Sequence, residues 1–199
     1  MTRTGTAAVS AAILGSAFSL VDAVYGGITG HATIWDDTSG HRWAITAVNV
    51  LLLALFALLA AVLVQQADRI DGAGRAARWI RRPLLADLAV LAGVFVVGTI
   101  LGHYPAPVEL VAGITFVLMF LLGAALGLAL LRRRDLRVAA VLLAAPLALI
   151  PLAILVDALA PGWGHPGYAE SALYLGLAIL ARQPAQRPAD QPAPIPAEA

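Results

Sequence analysis

The sequence predicts an all-α, polytopic membrane protein, with six transmembrane helices arranged as three antiparallel hairpins in one bundle. Three observations carry this expectation. Of 199 residues, 60% are apolar and only 13% charged, whereas soluble domains run at about 45–50% and about 25%. The apolar residues gather in six stretches, each near the roughly 20 residues an α-helix needs to cross about 30 Å of hydrocarbon. The arginines fall almost entirely in alternate connections between those stretches. This composition excludes a soluble enzyme, a disordered chain and a nucleic-acid binder. The absence of cysteine excludes disulfides, thiolate metal sites, iron–sulfur clusters and cysteine nucleophiles.

The first stretch is Ala7–Gly26. Its small residues repeat as Ala8, Ala12, Ser16 and as Ala11, Gly15, Ser19, a spacing that builds a close-packing helix face. Arg3, the apolar run and Val21-Asp22-Ala23 also resemble a secretory signal peptide cleaved after Ala23; the small-residue face favours a retained helix. The second stretch is Ala44–Val64, and the third is Leu84–Gly102, with Pro83 at its start and Gly102 placed to cap its end. The fourth, Val108–Leu131, is the longest. Its Gly123-Ala124-Ala125-Leu126-Gly127 segment is a close-packing face, for use within the bundle or for a homo-dimer through Gly123 and Gly127. In the fifth, Val138–Asp157, Pro146 and Pro151 are expected to break the hydrogen-bond ladder twice. The sixth, Gly167–Ala181, is short and carries Glu170 near its start. Residues 1–181 thus form one transmembrane domain. Residues 182–199, with five prolines, form a disordered cytoplasmic tail.

Arginine placement sets the direction. Every basic residue is an arginine, and twelve of the 13 lie at the N-terminus, in the second and fourth connections or in the tail. Only Arg42 falls on the other side, which holds six acids: Asp22, Asp36, Asp37, Glu109, Asp157 and Glu170. Positive charge near helix ends stays cytoplasmic, so both termini are expected inside the plasma membrane. Trp35, Trp43, Trp163, Tyr25, Tyr104 and Tyr168 mark the outer interface, where amphipathic rings settle. The inner arginines are expected to rest on anionic lipid headgroups.

Acids inside a membrane are functional candidates, because a charge at its centre costs at least about 2.5 kcal/mol. Asp22, Asp157 and Glu170 lie near the outer ends of the first, fifth and sixth stretches. Facing one another inside the bundle, they could donate protons or hold a cation; facing out, they simply reach water. Asp87 lies one turn beyond Arg81 and Arg82 and is expected to pair with them. His31, His41, His103 and His165 all fall in outer connections, each preceded by glycine, and His31 and His41 flank Asp36 and Asp37. Imidazole with carboxylate suits a divalent metal, and outer histidines also suit a pH sensor. Their scattered spacing equally fits polar turn residues, and no cofactor motif is present.

Thr38-Ser39-Gly40-His41, and Arg75 with Arg82-Pro83, resemble two motifs of the membrane lipid-phosphate phosphatases. In that family the basic motif comes first and both face one side. Here the order is reversed and the arginines place the two on opposite sides, so the resemblance carries no function. The expected function is a small permease-like, accessory or small-molecule-binding protein with a polar outer face. One alternative is an outer-leaflet enzyme acting on a lipid or isoprenoid-like substrate through Asp22, Asp157 and Glu170 with a histidine-bound metal. A second is an extracytoplasmic pH or metal sensor.

Overall fold

The computed structural model describes residues 3–30 and 42–182, and among these all regular structure is helical. The α-helices are α1 (Arg3–Thr29), α2 (Arg42–Gln65), α3 (Ala67–Asp71), α4 (Arg75–Leu101), α5 (Ala106–Leu130), α6 (Arg137–Ala144), α7 (Pro146–Leu159) and α8 (Gly167–Ile179). A 3₁₀ turn, Arg134–Leu136, leads into α6. Five segments are long and apolar enough to cross a membrane: α1, α2, α4, α5, and the run Arg134–Leu159 that contains α6 and α7. This is the pattern of a membrane protein. The sixth stretch is shorter than expected, because the 13 residues of α8 rise only about 20 Å.

Two prolines behave differently from the sequence expectation. Helix α4 starts at Arg75 and runs straight through Pro83. A proline removes one N–H and crowds one carbonyl, but the flanking arginines are good helix formers. The real boundaries of α4 are glycines: Gly74 has φ 135°, and Gly102 has φ 72° and donates its N–H to the Gly98 carbonyl. In the fifth stretch the helix is interrupted once, not twice. The Ala145 N–H is shared between the carbonyls of Val141 (3.0 Å) and Leu142 (3.3 Å). Pro146, which has no N–H, then opens α7, and α7 continues through Pro151.

The helices close into a ring. Helix α1 packs on α2, α2 on α4, α4 on α5, α5 on α6, and α6 on α8, which returns to α1. Helix α8 also touches α2, α5 and α7, so it sits at the centre. No residue of α8 is exposed, whereas most of α7 is. The small-residue face of α1 forms as expected and continues to Asp22, Ala23 and Gly26. Gly123 and Gly127 of α5 face neighbouring helices of the same chain. A Cβ on Gly123 would lie 2.6 Å from the Leu173 side chain, and one on Gly127 would lie 2.6 Å from the Ala144 backbone nitrogen. The core joins Leu55, Phe56 and Leu59 of α2 to Leu88 of α4, Leu126 of α5 and Leu173 of α8.

The arginine-rich end is tied by ion pairs. Arg81 makes a two-pronged bond to Asp71, at 2.8 and 2.9 Å, and these hydrogen bonds hold the Asp71 carboxyl below its usual value of 3.8. Arg69 bonds Asp135 at 3.1 Å and donates to the carbonyls of Leu180 and Arg182. It thereby gathers α3, the 3₁₀ turn and the end of α8, with a cation placed where helix carbonyls end unpaired. Asp87 has a different environment from the one expected. It is 6% exposed, and its Oδ2 has no hydrogen-bond partner. The bidentate geometry of Asp71 has claimed Arg81, and the guanidinium of Arg82 lies over the Trp79 ring.

Candidate functional site

The site builds up from a seam between α1 and α8 at the arginine-poor end. Small residues let the two helices approach closely: a Cβ on Gly15 would lie 3.7 Å from the Tyr174 ring, and Gly167 lies against the Ser19 carbonyl. Along the seam, the Ser16 hydroxyl lies 3.4 Å from the Ser171 carbonyl, and the Ser171 hydroxyl, bonded to the Gly167 carbonyl at 2.7 Å, lies 3.3 Å from the Ser16 carbonyl. Close approach brings side chains that are local on each helix into one cluster. Ser19 and Asp22 are one turn apart on α1, as are Glu170 and Tyr174 on α8.

Glu170 is the centre of that cluster. Its Oε2 accepts a short hydrogen bond from the Ser19 hydroxyl, at 2.6 Å, and a long one from the Tyr174 hydroxyl, at 3.5 Å. A hydroxyl-to-carboxyl bond of 2.6 Å is in the range of charge-assisted contacts. His165, in the connection before α8, places Nε2 3.3 Å from Asp22 Oδ2. The Gly167 N–H donates to His165 Nδ1 at 3.0 Å. A nitrogen that accepts a hydrogen bond carries its lone pair, so the ring proton sits on Nε2 and faces Asp22. Both ring nitrogens are therefore engaged.

These groups line a cavity of about 280 Å³, whose other described walls include Phe18 of α1, Leu52 and Phe56 of α2, Phe95 of α4 and Phe116 of α5. Of the five phenylalanines in the chain, four face this one space. The rings support one another. Phe95 stacks on Phe56 at 5.6 Å, and Phe56 meets Tyr174 edge-on at 5.8 Å. At the far side Tyr104 abuts Phe95 edge-on at 6.5 Å and covers Gly98. Its hydroxyl donates to Asn49 Oδ1 at 2.7 Å. Burial pushes the Tyr104 phenol up to about 12, which keeps it a proton donor to Asn49.

The structure thus gathers Asp22, Glu170 and His165, three of the residues singled out in the sequence. Asp157 stands apart: it is exposed, and its Oδ1 accepts the Gly162 N–H at 2.9 Å. His103 is exposed, with Nδ1 3.2 Å from the Leu101 carbonyl, and does not line the cavity. His31, His41, Asp36 and Asp37 lie outside the described residues. Among the described residues, no group of three or more His, Asp or Glu side chains is arranged to hold a metal.

Sequence reasoning missed Ser19 as a polar partner, Tyr174, and the aromatic walls. One signal was present: the described tryptophans lie near helix ends, while the five phenylalanines fall within four different helices. Compared with family models, curated proteins and solved structures, the chain matches none.

Proposed function

We propose that the chain is a six-pass plasma-membrane protein with both termini cytoplasmic, and that its outer end holds a binding chamber for a small molecule. Its role is permease-like, accessory or simply ligand-binding. The observation that carries this reading is the aromatic-walled cavity into which Asp22, His165 and Glu170 converge. Concave, largely apolar sites with a few converging polar groups are the usual form of small-molecule sites.

Two features support the sixth pass. The first turn of α8 lies against Ser19 near one end of the bundle, and the carbonyls just past its last turn meet Arg69 at the other. A helix enclosed by protein need not match the lipid thickness, since its neighbours rather than lipid surround it. The arginine bias supports the direction, with the basic end resting on anionic headgroups. Because the chain has no cysteine, His103→Cys and Arg134→Cys can each be labelled with an impermeant maleimide in intact cells. Labelling at 103 alone is expected; labelling at 134 alone reverses the topology.

The chamber is tested by filling it. Small solutes of varied charge are screened for a rise in Tm of the detergent-solubilised protein, since a ligand that binds only the folded state stabilises it by mass action. Leu52→Trp, which fills the chamber, is expected to abolish that rise. An equal rise in both proteins would place the binding elsewhere. The enzyme reading gains no comparable support, because His165 has both nitrogens engaged and Asp157 bonds Gly162 instead.

A further inference from the structure

We infer that the chamber binds an organic cation, a protonated primary or secondary amine carrying a small apolar body. This inference rests on the chamber being a ligand site and adds its chemistry. The first observation is an incomplete set of hydrogen bonds on Glu170. Oε2 takes the bonds from both Ser19 and Tyr174, and Oε1 takes none from the described residues. Oε1 is not among the buried polar atoms sealed off by protein, and Glu170 lines the cavity. In its ionised form a carboxylate oxygen accepts and cannot donate, so a ligand that completes ionised Glu170 brings a proton.

The second observation is electrostatic. Among the described lining residues there are two carboxylates, Asp22 and Glu170, and no arginine. The one imidazole among them, His165, accepts the Gly167 N–H on Nδ1. The third observation is independent of the carboxylates. Phe18, Phe56, Phe95, Phe116 and Tyr174 supply most of the remaining wall. The negative faces of aromatic rings attract ammonium groups, more so where water is excluded. The same rings accept an apolar body. The volume, about 280 Å³, is at the lower edge of the roughly 300–1,000 Å³ of small-molecule sites, which limits that body to about one ring. A bare metal ion fits less well, since three or more ligating side chains do not converge among the described residues. A quaternary ammonium would satisfy the rings but leave Oε1 without its proton donor.

The test is calorimetric titration of the detergent-purified protein with three probes of one size: benzylammonium, benzyl alcohol and benzoate. The expected order places benzylammonium at least tenfold tighter than benzyl alcohol, with benzoate weakest. Glu170→Gln is expected to weaken benzylammonium at least tenfold and to leave benzyl alcohol within about twofold. If benzyl alcohol or benzoate binds the unmodified protein as tightly as benzylammonium, the cation inference is overturned while the chamber remains a site. If none of the three binds, both readings fall together. The ranking on the unmodified protein decides the matter even where Glu170→Gln does not fold.

Discussion

Helices α7 and α8 follow one another in the chain and are almost equally long, at 14 and 13 residues, yet they occupy opposite environments. Helix α7 is nearly all aliphatic, and it lies on the outside, with Leu152, Ile154, Leu155 and Leu159 all more than half exposed. Helix α8 carries Glu170, Ser171, Tyr174 and two glycines, and it is the hub of the bundle. In water the order would be reversed. In lipid, apolar side chains gain little by leaving the surface, and helices associate through small residues and hydrogen bonds. The more apolar of these two helices therefore marks the outer wall, and the mixed one marks the interior.

The sharpest way to break this comparison is to create a void in the hub. Leu173→Ala removes a side chain that is fully enclosed between α5 and α8, and is expected to lower stability by about 2 kcal/mol or more, read as unfolding in mild detergent. Ser19→Ala leaves Glu170 Oε2 without its short bond; a loss of about 1–2 kcal/mol is expected, with the α1–α8 seam opening first in hydrogen exchange.

A smaller effect belongs to the arginine-rich end. The Asp71 carboxyl is held below 3.8 by its bonds from Arg81. A folded-state value below the unfolded one stabilises the protein fully above the unfolded value, and that contribution fades as pH falls through the folded value. Between about pH 5 and pH 2.5 the unmodified protein is expected to lose more stability than Asp71→Asn, by no more than about 1 kcal/mol. An identical acid profile in both would remove the pair from the account. Least of all is expected from Leu155→Ala in α7, within about 0.5 kcal/mol. A loss there as large as at Leu173 would dissolve the contrast between the two helices.

Hydrophobic run length was enough to locate the five segments long and apolar enough to cross a membrane, because it reports directly on the medium. The stripe from Ala8 to Ser19 was legible as a packing face, since helical spacing alone puts those residues together. The centrality of α8 was not legible: its short length and Glu170 made it the weakest stretch, and only the closing of the ring by α1 on α8 reverses that reading. The convergence of Asp22, His165 and Glu170 depends on the same closure, across segments far apart in the chain. Nothing local links Phe56 to Phe95 or Phe116, so the aromatic wall emerges only with the packing. Prolines misled the boundary at Pro83 for a local reason, since a proline costs one hydrogen bond and the preceding turn was already held by its neighbours.

The single interruption at Ala145 also has a mechanical consequence. It divides the fifth run into a short piece held by α5 and α8 and a freer arm of 14 residues, about 21 Å long at helical rise. A tilt of about 10° at that joint displaces the far tip by about 4 Å. The tip leads directly into Gly164, which rests against Ala153 and Asp157, and into His165, which faces Asp22. The arm thus joins the interruption beside α6 to the rim of the cavity through a single stretch of helix.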